Sequence, residues 1–241
     1  MKPLLSVDDV HVTYGSVHAV RGVSLDVADG EVLGIIGANG AGKSSLLNAV
    51  MGIVTPSAGR VVVDGKDVTG KPVAEHVRLG LGLSPEGRGI LPGLSVRENL
   101  ELGTYPSRGL RARDRRERLD EAFELFPVLG ERANQDAQTL SGGEAAMLSV
   151  ARALVSKPKV LLLDEPTLGL APVMSQRLFE RIDALKATGL SMVIVEQRAT
   201  ELFQVADRIL QVRQGEAEMV DGVSSLDVAA LERLYFGEAA S

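Results

Sequence analysis

The chain has 241 residues, a formal net charge of −6 and no cysteine, which excludes disulfides and thiolate metal sites and fits a reducing compartment. Aromatic residues make up 3% of the chain and tryptophan is absent, so the base-stacking platforms of single-strand nucleic-acid binders are hard to build. Together with the negative net charge, this argues against nucleic acid as a partner.

The first 36 residues predict a small antiparallel sheet. Residues 10–14 and 23–27 alternate apolar and polar side chains, and residues 28–30 form a tight-turn sequence. From its position alone, Tyr14 is interpreted as a strand-edge residue. Residues 1–9 carry no secretory pattern, and no run in the chain approaches the roughly 18 apolar residues of a membrane span. We therefore expect a soluble globular protein.

A glycine-rich segment follows the apolar residues 31–36 and precedes a helical pattern that extends to residue 51. Its members are Gly37, Ala38, Asn39, Gly40, Ala41, Gly42, Lys43, Ser44 and Ser45. Strand, glycine-rich turn and helix N-terminus form the order of a phosphate-binding loop, in which backbone N–H groups point at anionic oxygens. Lys43 is expected to reach the β- and γ-phosphates, and the Ser44 hydroxyl to ligate Mg²⁺. The segment predicts nucleotide binding.

Residues 60–68 predict a strand with an Asp-Gly turn, residues 72–79 a short helix and residues 81–84 a short strand. From residue 85 to residue 154 the sequence carries no strand signal, and Ser95 with Glu98 forms a capping-box pattern. We predict a helical subdomain over 85–154, inserted into a nucleotide-binding core of residues 1–84 and 155–241. The arginine-rich helix at 111–126 could face an anionic partner, but a solvated face is the favoured interpretation.

The C-terminal part alternates strands and helices, which indicates a parallel sheet whose carboxyl edge binds ligands. Residues 160–165 and 191–196 are predicted buried strands, with a helix over 172–188 between them. Residues 208–220 predict a hairpin and residues 226–236 a closing helix. Asp164 and Glu165 end the first of these strands. Asp164 is expected to hold Mg²⁺ through water and Glu165 to orient or deprotonate the attacking water, which with Lys43 and Ser44 suffices for phosphoryl transfer.

A second small-residue helix start, Leu-Ser-Gly-Gly-Glu at residues 140–144, predicts another anion site. One nucleotide does not need two such sites in one chain. The segment resembles the Leu-Ser-Gly-Gly-Gln signature of ABC-type ATPases, and the order of phosphate loop, helical insertion, signature and acidic strand is also similar to that family along essentially the whole chain.

The resemblance implies a P-loop α/β fold and a head-to-tail dimer with two ATP molecules at its interface. Ser141, Gly142 and Gly143 of one protomer would close on the γ-phosphate held by Lys43 of the other. The resemblance reverses the assignment of Tyr14, which would stack on adenine. Residues 167–172 would form an interface loop. Glu86, in the hinge over 85–88, would sense the nucleotide and its metal, and Gln197 would occupy the catalytic switch position.

Glu86 replaces the glutamine usual in the family's hinge, and Gln197 replaces the usual histidine. These departures, with Leu-Gly-Leu-Ala-Pro at 168–172, resemble the shorter ATPase subunit of branched-chain amino-acid importers and the related urea importers. Ala145, Ala146 and Arg198 depart from that pattern as well. The resemblance implies permease partners, a second ATPase subunit or a second copy, an indirectly linked solute-binding protein, and a cytoplasmic location on the inner face of the membrane.

Two other functions remain open from the sequence. A soluble ABC ATPase acting on ribosomes or DNA generally carries two cassettes or a long coiled-coil insertion, and neither is found in this sequence. A P-loop kinase outside the ABC family would leave the 140–144 segment unexplained. Turnover of ATP without a phosphate acceptor distinguishes the kinase, which should release little free phosphate.

Overall fold

The computed structural model describes residues 2–87, 89–107, 109–197 and 200–220. The strands within them are β1 (Leu5–Tyr14), β2 (Val17–Val27), β3 (Val32–Ile36), β4 (Ala58–Val63), β5 (Lys66–Asp67), β6 (Leu81–Ser84), β7 (Val160–Asp164), β8 (Ser191–Glu196), β9 (Arg208–Arg213) and β10 (Glu216–Val220). The helices are α1 (Lys43–Val50), α2 (Val73–Arg78), α3 (Val96–Gly103), α4 (Ala112–Leu125), α5 (Pro127–Glu131), α6 (Gly142–Leu154), α7 (Pro172–Ala187) and α8 (Leu202–Val205), with a 3₁₀ turn at Ala137–Thr139. The predicted closing helix over 226–236 lies outside the described residues, as do Arg88 and Arg198.

The N-terminal strands form an antiparallel sheet in the order β2-β1-β4-β5. Val7, Val10 and Val12 of β1 lie in the core, and an irregularity between Val7 and Val10 keeps the apolar side chains on one face. The pairing of β1 with β4 ends at His11, whereas Tyr14 pairs with Val17 of β2. Tyr14 therefore lies at an open edge at the end of β1, with 46% of its surface exposed, which agrees with the position expected from the sequence.

The second sheet has the order β10-β9-β3-β8-β7-β6 and is parallel except for the β9–β10 hairpin. All five residues of β3 and of β7 are buried, as expected for strands covered on both faces. In the register, Asp164 of β7 lies opposite Val195 of β8. The glycine-rich loop after β3 and the acidic end of β7 therefore meet at the carboxyl edge of the sheet. The predicted parallel core with an added antiparallel sheet and a helical insertion is confirmed.

The segment between β6 and β7 contains α3 to α6. The predicted capping box is present at α3, where Ser95 Oγ accepts from the Glu98 N–H at 3.2 Å and the Glu98 carboxylate accepts from the Ser95 N–H at 2.8 Å. Most of the α4 arginines are exposed, and three form ion pairs within the helix: Arg111–Asp114, Arg113–Glu117 and Arg116–Asp120. This arrangement supports the solvated-face interpretation. The subdomain bounds at 85 and 154 stay a prediction.

Apolar side chains cover both faces of the parallel sheet. Helix α1 and the antiparallel sheet pack on one face through residues such as Leu46 and Leu47, while α6 and α7 pack on the other through Leu148 and Ile182. These two cores hold the carboxyl edge of the sheet rigid between them, because close-packed interiors resist deformation. Among the described residues, no helix is both long enough and apolar enough to cross a membrane.

Candidate nucleotide-binding site

The glycine-rich loop between β3 and α1 requires glycine at two positions. Gly42 has a φ of 112°, and a Cβ there would lie 2.2 Å from the carbonyl oxygen of Ala19. A Cβ at Gly37 would lie 2.3 Å from the carbonyl oxygen of Val212. The loop is thus packed against two neighbouring strands by its backbone, which leaves its N–H groups and the start of α1 to bind an anion.

Lys43 is 4% exposed, and its ammonium group lies within the curve of the loop. Its Nζ donates to the carbonyl oxygens of Gly37 at 2.8 Å and Ala38 at 3.2 Å. It also forms an ion pair with Glu165, with Nζ 3.1 Å from Oε1. A buried ammonium group requires such partners. A phosphate that entered here would meet a cation already held in place by the loop.

Ser44 and Asp164 supply adjacent oxygen donors at the edge of the sheet. Ser44 Oγ donates to Asp164 Oδ1 at 3.2 Å. Burial raises the pKa of Asp164 to about 6; the Ser44 hydrogen bond and Lys43 oppose this rise, and the charges of Glu86 and Glu165 add to it. A bound cation would reverse the effect of burial, because it stabilises the ionised carboxylate.

These donors fit Mg²⁺. Magnesium prefers oxygen ligands and is usually held by one or two protein groups together with water and substrate phosphates. The residues that the structure describes contain no group of three or more acidic, histidine or cysteine side chains placed to hold a metal by themselves. The pair formed by Ser44 and Asp164 therefore suits an ion that arrives with its nucleotide.

Glu165 follows β7 directly and is 8% exposed. Its φ of 45° lies in the left-handed region, which costs a non-glycine residue about 1–3 kcal/mol and persists only where the surroundings enforce it. Its backbone N–H donates to the Val195 carbonyl at 2.9 Å. This conformation directs the carboxylate to Lys43.

A cavity of about 320 Å³ lies beside Lys43. The residues that line it are Ala19, Asn39, Gly40, Gly42, Lys43, Ser44, Ser45, Glu86, Glu165 and Leu168. The structure thus brings the loop, the hinge residue Glu86 and Glu165 to one space. Gly37, Ala38 and Ala41 line a second cavity, on the side of the loop that faces β9 and β10.

Ser141, Gly142 and Gly143 do not line the cavity beside Lys43. Ser141 is the N-cap of α6: its Oγ accepts from the Glu144 N–H at 3.4 Å, and Glu144 accepts from the Ser141 N–H at 2.8 Å. Arg132 holds the same glutamate, with 3.1 Å between Nη2 and Oε1. Helix α6 therefore begins in a fixed geometry away from the phosphate loop of its own chain.

Tyr14 and Gln197 also lie outside the lining of the Lys43 cavity. Gln197 follows β8 directly. The residue before it, Glu196, is 2% exposed and accepts hydrogen bonds from the Thr167 N–H at 3.0 Å and the Thr167 hydroxyl at 2.8 Å. No role for Glu196 was predicted from the sequence. The sequence shows only that a charged residue ends an otherwise apolar strand. This pattern does not indicate which residue the carboxylate would contact.

The family model for the ABC transporter matches residues 20–168. The chain is 40% identical, over 97% of its length and 100% of the relative's, to the "High-affinity branched-chain amino acid transport ATP-binding protein BraG" of Pseudomonas aeruginosa. It is 34% identical, over 85% of its length and 86% of the relative's, to the "Probable branched-chain amino acid transport ATP-binding protein LivF" of Archaeoglobus fulgidus. It is 33% identical, over 98% of both chains, to the "Lipopolysaccharide export system ATP-binding protein LptB" of Haemophilus influenzae.

Solved structures of ATP-binding cassettes are similar to this chain over nearly its whole length. A nucleotide-free ATP-binding cassette from an ABC transporter has a TM-score of 0.83 and 27% identity, covering 98% of this chain and 100% of that one. A dimeric cassette in a post-hydrolysis state, bound to ADP and Pi, has a TM-score of 0.80 and 26% identity, covering 90% of this chain and 99% of that one.

Proposed function

Since this chain belongs to the ABC transporter family and is an ATPase, we propose that it energises a membrane importer for branched-chain amino acids or a related small solute such as urea. The observation that carries the proposal is the 40% identity to BraG across the full length of that relative. Glu86 and Gln197 support the same assignment, because both resemble the shorter ATPase subunit of these importers.

We propose that ATP binds with its phosphates in the curve of the glycine-rich loop and its adenine on the exposed ring of Tyr14. Lys43 is held by the carbonyls of Gly37 and Ala38, and it would exchange its contact with Glu165 for the β- and γ-phosphates when ATP binds. Preorganised charge of this kind stabilises a phosphoryl-transfer transition state, because little reorganisation is needed when charge develops. Mg²⁺, when bound at Ser44 and Asp164 with Glu86 nearby, would neutralise phosphate charge.

Glu165 is the proposed general base. Its carboxylate lies 3.1 Å from Lys43 Nζ and lines the same cavity as the loop, so it can accept a proton from a water that attacks the γ-phosphate in line. Gln197 would replace the usual switch histidine with a group that donates a hydrogen bond but has no protonated state. The switch would then contribute by orientation alone.

Ser141, Gly142 and Gly143 of a second protomer would complete the cavity beside Lys43. These residues begin α6 in a fixed geometry but do not reach the loop of their own chain. A head-to-tail dimer, with itself or with a second ATPase subunit, would bring them to the γ-phosphate. ATP would then close the dimer and hydrolysis would open it. We propose that this motion drives transmembrane permease subunits served by a solute-binding protein, with the chain peripheral on the inner face of the membrane.

The test is an affinity pull-down of the tagged chain from gently solubilised native membranes, with the co-purifying chains identified by mass. Multi-span permeases and a second ATPase are the expected partners. A Lys43→Ala variant serves as the matched control, since it should lose ATP turnover but keep the permeases. Recovery of ribosomes, DNA or only soluble proteins would contradict the transport proposal and favour a soluble ABC ATPase.

The transported solute is tested by uptake in cells that carry Glu165→Gln in place of the native chain. Uptake of labelled leucine should fall, while uptake of labelled ribose in the same cells should not change. Unchanged leucine and urea uptake in the variant would contradict the proposed solute class, even if permeases co-purify.

A further inference from the structure

The proposed mechanism leaves one buried carboxylate without a function. Glu196, the last residue of β8, is 2% exposed, and its Oε1 accepts from both the N–H and the hydroxyl of Thr167. Two donors from one residue on a single oxygen compensate in part for the loss of water around a buried carboxylate. They also fix the position of Thr167 relative to β8.

Thr167 lies in the turn that follows Glu165. The Leu168 N–H donates to the Glu165 carbonyl at 3.0 Å, so the backbone reverses directly after the proposed base. Residues 165–167 are hydrogen-bonded to β8 at two points. The Glu165 N–H donates to the Val195 carbonyl at 2.9 Å, and the Thr167 N–H donates to the Glu196 carboxylate two residues later. These two hydrogen bonds restrain the backbone around Glu165, which is in the left-handed conformation.

We propose that Glu196 is a positioning residue for ATP hydrolysis, which acts through Thr167 to hold Glu165 in the conformation that directs its carboxylate to Lys43. Without the Thr167 attachment, the turn could relax toward an ordinary backbone conformation, because the left-handed one is intrinsically unfavourable for glutamate. The base would then leave the position in which it can reach the attacking water. A displacement of about 1 Å from productive geometry lowers a rate by about 10²-fold.

The same contact joins two segments to which the family resemblance gives separate roles. Residues 167–172 correspond to the interface loop, and Gln197, next to Glu196 in the chain, occupies the switch position. With Glu196 bound to Thr167, these two segments and the base form one unit. A displacement of Gln197 would therefore be transmitted to the interface loop directly, through the hydrogen bonds between Glu196 and Thr167.

An alternative is that Glu196 acts through its charge, which repels that of Glu165. The two explanations differ in what glutamine would do at this position. The amide oxygen of Glu196→Gln still accepts from both donors of Thr167, but the charge is gone. Glu196→Ala removes both the acceptor and the charge, and Thr167→Val removes the hydroxyl while keeping a similar shape.

The experiment measures steady-state ATP turnover of the full chain for these variants. Glu196→Ala should lower kcat by about 10- to 100-fold with KM for ATP within about 2-fold of wild type, since the lost contact aligns the base and not the substrate. Glu196→Gln should keep kcat within about 3-fold, and Thr167→Val should lower it by about 3- to 10-fold. The double variant Glu196→Ala/Thr167→Val should be no slower than Glu196→Ala alone, because both changes remove one interaction.

Thr188→Val is the matched control, because the Thr188 hydroxyl binds the Leu185 carbonyl at the end of α7 and is expected to leave turnover unchanged. The proposal is overturned if Glu196→Ala keeps wild-type kcat, if it changes KM alone, or if Glu196→Gln is as slow as Glu196→Ala. Should Glu196→Ala fail to fold, Thr167→Val decides, and wild-type kcat in that variant overturns the proposal.

The inference rests on the proposed role of Glu165, so Glu165→Gln is measured in parallel. Normal turnover in Glu165→Gln would contradict the assignment of the base, whatever the Glu196 variants do. Lost turnover in Glu165→Gln together with normal turnover in Glu196→Ala would contradict only the positioning role.

Discussion

Replacing Glu196 with glutamine should stabilise the protein in a pH-dependent way. Burial raises the pKa of Glu196 from its ordinary value of 4.5 to about 7; the hydrogen bonds from Thr167 oppose this rise, and the charge of Glu165 adds to it. The folded state therefore holds the proton more tightly than the unfolded state does. Raising the pH from about 4.5 to about 8 therefore destabilises the wild type. The glutamine variant does not show this loss, because glutamine does not titrate.

The magnitude follows from the two pKa values. One pKa unit corresponds to about 1.4 kcal/mol, so the rise from 4.5 to about 7 makes the ionised carboxylate about 3 kcal/mol less favourable in the folded than in the unfolded chain. Below about pH 4.5 this difference vanishes, and above about pH 8 it is complete. Between about pH 5 and pH 8, the advantage of Glu196→Gln over wild type in the free energy of unfolding should grow by about 2.5 kcal/mol.

The assay is urea unfolding of both chains at several pH values, without nucleotide. Only the difference between the two chains is used, because the titration of every other group largely cancels in it. Glu180→Gln, at an exposed position on α7, is the matched control and should differ from wild type by the same small amount at every pH. A difference between wild type and Glu196→Gln that stays flat from pH 5 to pH 8 would refute the reasoning, because Glu196 would then be ionised throughout.

Three further outcomes are expected. Glu165→Gln should trap an ATP-bound dimer that size-exclusion chromatography resolves, and rapid ATP turnover in this variant would contradict its proposed role as base. Tyr14→Ala should weaken ATP binding by about 10-fold in a fluorescence titration, with Tyr14→Phe close to wild type, because an aromatic–base stack contributes about 1–3 kcal/mol; equal affinity in both variants would rule out stacking. Gly42→Ala should abolish ATP binding in the same titration, since its Cβ would lie 2.2 Å from the Ala19 carbonyl oxygen. Gly40→Ala should retain more of the ATP affinity, because a Cβ there meets nothing within 4 Å. Equal loss of affinity in both variants would point to backbone conformation rather than to the contact with Ala19.

Much of the fold follows from local patterns in the sequence. The buried runs at 32–36 and 160–164 contain almost only apolar residues, and this composition is sufficient to identify strands covered on both faces. The glycine-rich loop is also identified locally, because its residues are consecutive. The short helix α8 was not predicted, since four residues carry too little periodicity to be recognised.

The candidate site residues could be named from the sequence because they follow from residue type and local spacing. Lys43, Ser44, Asp164 and Glu165 come from two short segments more than a hundred residues apart, and the structure brings them together as two pairs, Ser44 with Asp164 and Lys43 with Glu165. Their catalytic roles stay a prediction. Strand order, by contrast, is set by pairing between distant segments. No local pattern in β1 reports that β4 pairs with it from Leu5 as far as His11.

What the sequence determined by itself is therefore most of the longer elements and the types of residue offered as reactive, because both are encoded in neighbouring residues. The tertiary structure alone decided which groups share an environment. It placed Lys43 against Glu165, buried Glu196 beside Thr167, and kept Ser141 away from the phosphate loop of its own chain. Burial and contact depend on segments that approach one another only after folding. For that reason, neither the raised pKa of Glu196 nor its hydrogen bonds with Thr167 can be recognised from the sequence.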